Sequence, residues 1–303
     1  MGTGLEDLNK GMADNTLDLL ISECDLIDGD FCRMVHSMRH HDVDSNPFLP
    51  VIALSSEPTP GLIREVINAG VDDLLPKPIS TTHLIKRIQS LVMSRKLFVV
   101  TSDYIGPDRR NPSECGEESE IPLVEVPNVL KAKITGKSDE DTMAQSIADA
   151  VAEVNLQKLE RYAVQIGILV EMILPAYAQD QFDARLEENL NRLNYVAQDT
   201  SRRLVGTKYD HISELCQNLI GVAGDIRSRK KTPPDKDLKL LKPLSQAIQN
   251  TFNINEEDIA ALARRISASV NEDQYRKKAL LNITLSSFFH NPIEKIGVAV
   301  RDR

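Results

Sequence analysis

The sequence predicts an α/β front half built on a small parallel sheet, followed by an all-α back half. Three observations carry that reading. Over residues 1–98, short apolar runs alternate with helix-period stretches. Residues 99–138 are proline-rich and polar, and from 139 to 303 nearly every stretch repeats with helical periodicity. Strands that alternate with helices build a parallel sheet covered by helices, so the chain divides into an α/β domain, a linker and a helical interaction domain.

Each element follows from its residues. Leu17 to Ser22 (LDLLIS) and Leu49 to Ser55 (LPVIALS) are apolar runs of strand length, as expected of strands buried on both faces. Asp30 to His40 carries Phe31, Met34, Val35 and Met38 at helical spacing. Pro60 to Ala69 repeats the pattern with Leu62, Ile63, Val66 and Ile67, and Gly70 supplies the stop. Val71 to Leu75 reads as a third strand ended by Pro76-Lys77-Pro78, and Thr81 to Arg95 as an amphipathic helix. Residues 101 to about 137 hold Pro107, Pro112, Pro122, Pro127 and the run NPSECGEESE, an extended linker by composition. Beyond it, helices are expected from Asp139, over Gln181 to Ser201, Lys208 to Arg229, Leu238 to Phe252, Glu256 to Ser269 and Glu272 to His290. The loop Lys230 to Asp237, with Pro233-Pro234, breaks the third from the fourth.

Composition narrows the function classes. The 303 residues carry a formal charge of −9, 4% aromatics and no Trp, which argues against a nucleic-acid partner. Four scattered cysteines, Cys24, Cys32, Cys115 and Cys216, form no metal or disulfide spacing and fit a reducing cytoplasm. The start MGTGLEDLNKGMADN lacks a signal-peptide pattern, and Ala163 to Ala178 is too short and too polar to span a membrane. No triad, zinc-helix motif or phosphate loop is present, so the expectation is a non-enzyme.

Several separated stretches together are similar to one family. Asp18 to Glu23 resembles the third strand of bacterial two-component receiver domains, and Leu26-Ile27-Asp28-Gly29-Asp30 resembles the loop after it, with Ile27 where the family has Pro. Pro50 to Ser55 resembles the fourth strand with its terminal Ser/Thr. Ala69-Gly70-Val71-Asp72-Asp73-Leu74-Leu75-Pro76-Lys77-Pro78 resembles the fifth-strand Lys-Pro signature. The resemblance covers about residues 5–95 and implies a flavodoxin-like parallel sheet, truncated here. In that family an Asp ending the third strand accepts a phosphoryl group beside Mg²⁺, and the Ser/Thr hydroxyl and Lys ammonium bind its oxygens.

The sequence departs from this pattern at its centre. The acceptor position is Glu23, whose extra methylene moves the carboxylate roughly 1.5 Å outward. The resemblance thus implies that Glu23 reaches Lys77 directly and imitates the phosphorylated state, with Ser55 holding it. A plain surface carboxylate at 23 and a backbone-bonded strand-end hydroxyl at 55 are the alternatives. Only residues up to Thr16 precede the first strand, so the family's first strand, acidic pair and first helix are not expected; Leu5 to Met12 supplies one helix. Apart from Glu23, only the Asp25 backbone carbonyl is left for a metal, so Mg²⁺ binding and phosphorylation are not expected. Leu74 stands where the family has a switching aromatic. The tail Gly297 to Val300 or a partner chain is a candidate to fill the missing strand. The phrase Tyr104-Ile105-Gly106-Pro107-Asp108-Arg109-Arg110 is similar to a stretch of some bacterial receiver proteins and reads as a rigid turn with a polar anchor.

In the helical half, Glu214 to Ile226 resembles the helix of histidine phosphotransfer domains. Gln217 falls on the histidine position, Ile220 on the Lys and Gly221 on the Gly of its His-x-x-Lys-Gly motif. An amide is not a phosphoryl nucleophile, so this reads as an inactive docking helix. A tight helix crossing over small residues is the other reading.

The resemblances imply a non-catalytic pseudo-receiver of a phosphorelay, acting on histidine kinases, phosphotransfer proteins or receivers, or on a second copy as a homodimer. A phosphorylatable regulator with a mis-assigned start and a helical domain of unrecognised activity are the competing readings.

Overall fold

The computed structural model describes Gly11 and residues 17–252, apart from 27–28, 43–44, 111–120 and 137–138. The expected helix at Leu5 to Met12 (save Gly11), the helices at Glu256 to Ser269 and Glu272 to His290, the Gly297 to Val300 strand and Cys115 lie outside the described residues. The chain divides into two compact units, Met1–Val154 and Asn155–Arg303.

The first unit runs β1 (Leu20–Glu23), β2 (Asp25–Leu26), β3 (Gly29–Asp30), α1 (Phe31–Arg39), β4 (Val51–Ser55), α2 (Pro60–Asn68), β5 (Asp73–Pro76) and α3 (Thr81–Met93). It continues with β6 (Phe98–Val100), β7 (Ile105–Pro107), β8 (Leu123–Val124), α4 (Val129–Ile134) and the start of α5 (Glu140–Ala178). β1, β4 and β5 form a parallel sheet in the order β1-β4-β5.

β4 has both faces buried, as its unbroken apolar run predicts. Val51 and Ala53 face one core with Phe31, Val35, Met38 and Val66. Ile52 faces the other with Leu75 and Leu91, the period-2 alternation of a strand. The helices start at side-chain caps: Asp30 accepts from the Arg33 amide, Thr59 from Leu62 and Ser80 from His83. After α2 the chain turns through Gly70 at φ +84°, a conformation that costs other residues strain.

β2 and β3 pair antiparallel as a two-stranded ribbon, and the segment expected to be an extended linker instead carries a further sheet. β7, β6 and β8 pair antiparallel in that order. Phe98, Val100, Ile105, Val124 and Val126 make a core with Phe48 and with Ala150 and Val154 of α5. Pro107 is tolerated because it ends an edge strand, where a missing N–H costs least.

The second unit contains the rest of α5, α6 (Ala184–Leu204), a 3₁₀ turn at Asp210–Ile212, α7 (Ser213–Arg229) and α8 (Asp235–Thr251). The stripe read from sequence is its core: Ile166, Val170 and Ile173 of α5 meet Leu186, Leu190, Leu193 and Val196 of α6, and Leu219, Ile226, Leu241 and Ile248. α8 begins at Asp235, earlier than the expected Leu238, because Pro234 has the extended conformation of an N-cap and Asp235 and Asp237 suit a first turn. The described architecture is therefore a small parallel sheet with helices, followed by a helical region. Among the described residues no helix is long and apolar enough to cross a membrane.

Candidate functional site

The C-terminal ends of the three parallel strands meet at one edge. β1 ends in Glu23, paired in register with Leu54, and the amide of Cys24 donates to the Leu54 carbonyl at 2.9 Å. β4 ends in Ser55, whose carbonyl accepts from the Lys77 amide at 2.8 Å. From there Lys77 Nζ forms an ion pair with Glu23 Oε1. The two side chains are 33% and 55% exposed, so solvent screens the pair and it contributes only about 0–1 kcal/mol to stability.

Ser55 lies between them in the sheet but does not join the pair. It is buried, and its hydroxyl has no hydrogen-bond partner among the described residues. Asp25 lies in β2 opposite Asp30, exposed. Asp28 of the same loop lies outside the described residues. Among the described residues no group of three or more His, Cys, Asp or Glu side chains is placed to hold a metal.

Two thiols adjoin this edge. Burial, then the charges of Asp25 and Glu23, pushes Cys24 up to about 11. Burial, then Cys24, Asp30, Glu65 and Asp25, pushes Cys32 up to about 12. Cys216, in the helical unit, is raised to about 12 by burial alone. The thiolate is the nucleophile, so the raised values slow the reaction of all three thiols at neutral pH. Iodoacetamide at pH 7 should label their peptides at least tenfold more slowly in native protein than in urea, read by peptide mass mapping; equal rates would contradict it.

The densest polar construction lies elsewhere in the unit and was not legible in the sequence. Asp72 is 2% exposed and holds two buried guanidinium groups. Arg39 Nη2 donates to Asp72 Oδ2 at 2.9 Å, and Arg95 Nε to Oδ1 at 2.9 Å. The Val51 amide also donates to Oδ2, at 2.9 Å, tying the cluster to β4. Arg39 further donates to the carbonyls of Gly70, Pro47 and Leu49 at 2.9, 2.6 and 2.8 Å. Arg95 reaches the Phe48 carbonyl at 2.6 Å. Both guanidinium groups lie near the Phe98 ring, 5.2 and 5.1 Å from its centre. Burial pushes the Asp72 carboxyl up, but the charges of Arg95 and Arg39, with the hydrogen bonds from Arg95 and the Val51 amide, more than reverse this, so it lies below its ordinary value.

The Tyr104 to Arg110 phrase is part of this construction. Arg109 Nη2 donates to the Val71 carbonyl and, at 3.4 Å, to that of Asp72. Tyr104 Oη donates to the Pro107 carbonyl at 2.9 Å. Gly106 lies against Gly70: a Cβ on Gly106 would come within 2.8 Å of the Gly70 Cα. The phrase expected to be a rigid turn is therefore strand β7 over Ile105–Pro107, and its Gly106 closes on Gly70 before β5.

In the helical unit, Gln217 is exposed and its Nε2 donates to Ser201 Oγ at 2.8 Å, which in turn bonds Ser213 Oγ at 3.1 Å. Ile220 is partly buried against the core, and Gly221 is exposed. A Cβ at Gly221 or Gly224 would meet nothing within 4 Å, so these glycines do not serve a tight helix crossing among the described residues. No protein-family model, curated protein or solved structure matches the chain.

Proposed function

We propose that the chain is a non-catalytic signalling protein whose first unit is a degenerate receiver of flavodoxin-like type. It acts in a bacterial phosphorelay by binding histidine kinases, phosphotransfer proteins or receivers in the cytoplasm. The observation that supports this reading best is the ion pair of Lys77 with Glu23 at the C-terminal edge of the parallel strands. Parallel sheets gather their functional groups at that edge. A carboxylate one methylene longer than Asp puts its charge toward the space a phosphoryl group would take, and the lysine that would bind phosphoryl oxygens is already neutralised. The chain thus presents one fixed state to a partner. Gln217, without nucleophilic chemistry, suits docking rather than transfer.

The test is a binding titration of the full chain with the purified phosphotransfer and histidine-kinase domains of its own genome. One of them should bind, and Glu23→Gln should weaken that complex about tenfold while changing stability by no more than about 1 kcal/mol. Absence of binding to every domain, or an unchanged affinity in the variant, contradicts the reading.

A further inference from the structure

β1 is an edge of the parallel sheet: among the described residues it pairs with β4 alone. The Leu20 and Cys24 amides donate to the Pro50 and Leu54 carbonyls, each at 2.9 Å. Alternate residues of a parallel strand bond a given neighbour, so the backbone N–H and C=O of Ile21 point away from β4. The edge also has an apolar side. Leu19 and Ile21 lie half-buried on the sheet face that holds Ile52 and Leu75, while Leu20 lies on the opposite face with Val51 and Ala53. Leu17 to Cys24 contains no Pro, Lys or Arg, the residues that most often block an open edge.

The charges at the two ends of β1 favour a second copy of the same edge. Before the strand, Lys133 Nζ meets Asp18 Oδ2 at 2.5 Å; at its end, Lys77 meets Glu23. Each end therefore carries one carboxylate and one exposed or half-exposed ammonium. Two copies of one edge related by a two-fold axis run antiparallel and present the same patch to each other. That arrangement sets the Asp18–Lys133 end of one copy beside the Glu23–Lys77 end of the other, with opposite charges available across each end. With the axis at Ile21, this residue exchanges both of its outward backbone bonds with its own copy. The Leu19 and Ile21 side chains of the two copies then line one continuous apolar face. The sheet grows from three strands to six, from below the usual size of about four to six strands to its upper end.

We propose that β1 is a self-association edge: two copies of the chain join antiparallel, β1 to β1, about a two-fold axis at Ile21, and make one continuous sheet. The interface uses backbone groups that no described strand takes up. It follows from strand register, apolar side chains and paired charges, and does not depend on the signalling reading.

The test is sedimentation equilibrium of the full chain from about 1 to 300 µM, at about 0.15 M salt to screen its net charge of −9. A monomer–dimer equilibrium should appear within that range. Hydrogen exchange at the Ile21 amide should slow at least about tenfold as the dimer forms. Ile21→Lys and Ile21→Glu should each weaken the dimer at least about tenfold. An equimolar mixture of the two should restore it, because residue 21 of one copy faces residue 21 of the other across the axis. A monomer at every concentration overturns the proposal, as does a dimer that both variants retain. Variants that keep the native circular dichroism but do not pair when mixed overturn it too. So does an Ile21 amide equally protected at the lowest and highest concentrations, the result expected if another segment of the same chain holds the edge. The Ile21 amide is measured in the wild type, so this last criterion decides even if neither variant folds.

Discussion

Asp72→Ala should destabilise the first unit by about 3–5 kcal/mol, the cost of removing one partner from a buried ionic group. The two guanidinium groups it holds are 0% and 5% exposed, so neither can turn to water without opening the structure. Their remaining partners are backbone carbonyls, which offset dipoles but not a full charge. Native-state hydrogen exchange of the Val51 to Ser55 amides reads the effect, because Val51 donates directly to Asp72. Exchange should accelerate roughly 10²–10⁴-fold, and a change below about tenfold would contradict the cluster's structural role. The sign of its pH dependence follows from the lowered Asp72 pKa. A carboxyl whose folded value is depressed contributes stability that is present above its unfolded value, near pH ~4, and is lost as pH falls through the folded value. The stability difference between wild type and Asp72→Ala should therefore shrink as the pH is taken below about 4.

Gly70→Ala carries the second large effect. Its φ of +84° is strained for any L side chain, and the added Cβ would sit 2.5 Å from the Ile105 carbonyl oxygen and 3.1 Å from Arg39 Cγ. Left-handed backbone costs about 1–2 kcal/mol and overpacking about 1–3, so a loss near 3 kcal/mol is expected. Gly106→Ala should act alike, since its Cβ would meet Tyr104 Oη at 2.6 Å. Gly221→Ala tests the same chemistry with the opposite sign. That glycine lies inside α7 with open space around it, so the substitution should stabilise by about 0.5–1 kcal/mol. Thermal unfolding of the three variants checks this ordering. A stable Gly70→Ala protein or a destabilised Gly221→Ala protein would contradict the packing described.

These two effects fall on residues whose importance the sequence hides. β4 was legible because Val51, Ile52 and Ala53 are all apolar, the mark of a strand covered on both faces. α1, α2 and α3 were legible because apolar periodicity coincides with Asp30, Thr59 and Ser80 as caps. Arg39 reads as the solvated last turn of a helix. Only the return of Pro47, Leu49 and Asp72 around it makes it a core residue, and no local pattern records that return. β6, β7 and β8 escaped because strands of two or three residues are too short to show an alternation, and Pro107 and Pro122 imitate linker composition. At the sheet edge, Glu23 and Lys77 were named through a family resemblance, and their pairing rests on strand register: β1 on β4 and β4 on β5 carry residues 54 positions apart to one rim. Ser55 reads either as holding Glu23 or as a strand-end hydroxyl bonded to backbone; its hydroxyl is buried and has no hydrogen-bond partner among the described residues.

The central claim is that Glu23 has replaced, not merely displaced, phosphoryl acceptance at this edge. Intact-mass spectrometry of the full chain after incubation with acetyl phosphate and Mg²⁺ tests it most directly. The account predicts an unchanged mass; a stable adduct of one phosphoryl group on the wild-type chain, mapped to Glu23 or a neighbouring carboxylate, would contradict it.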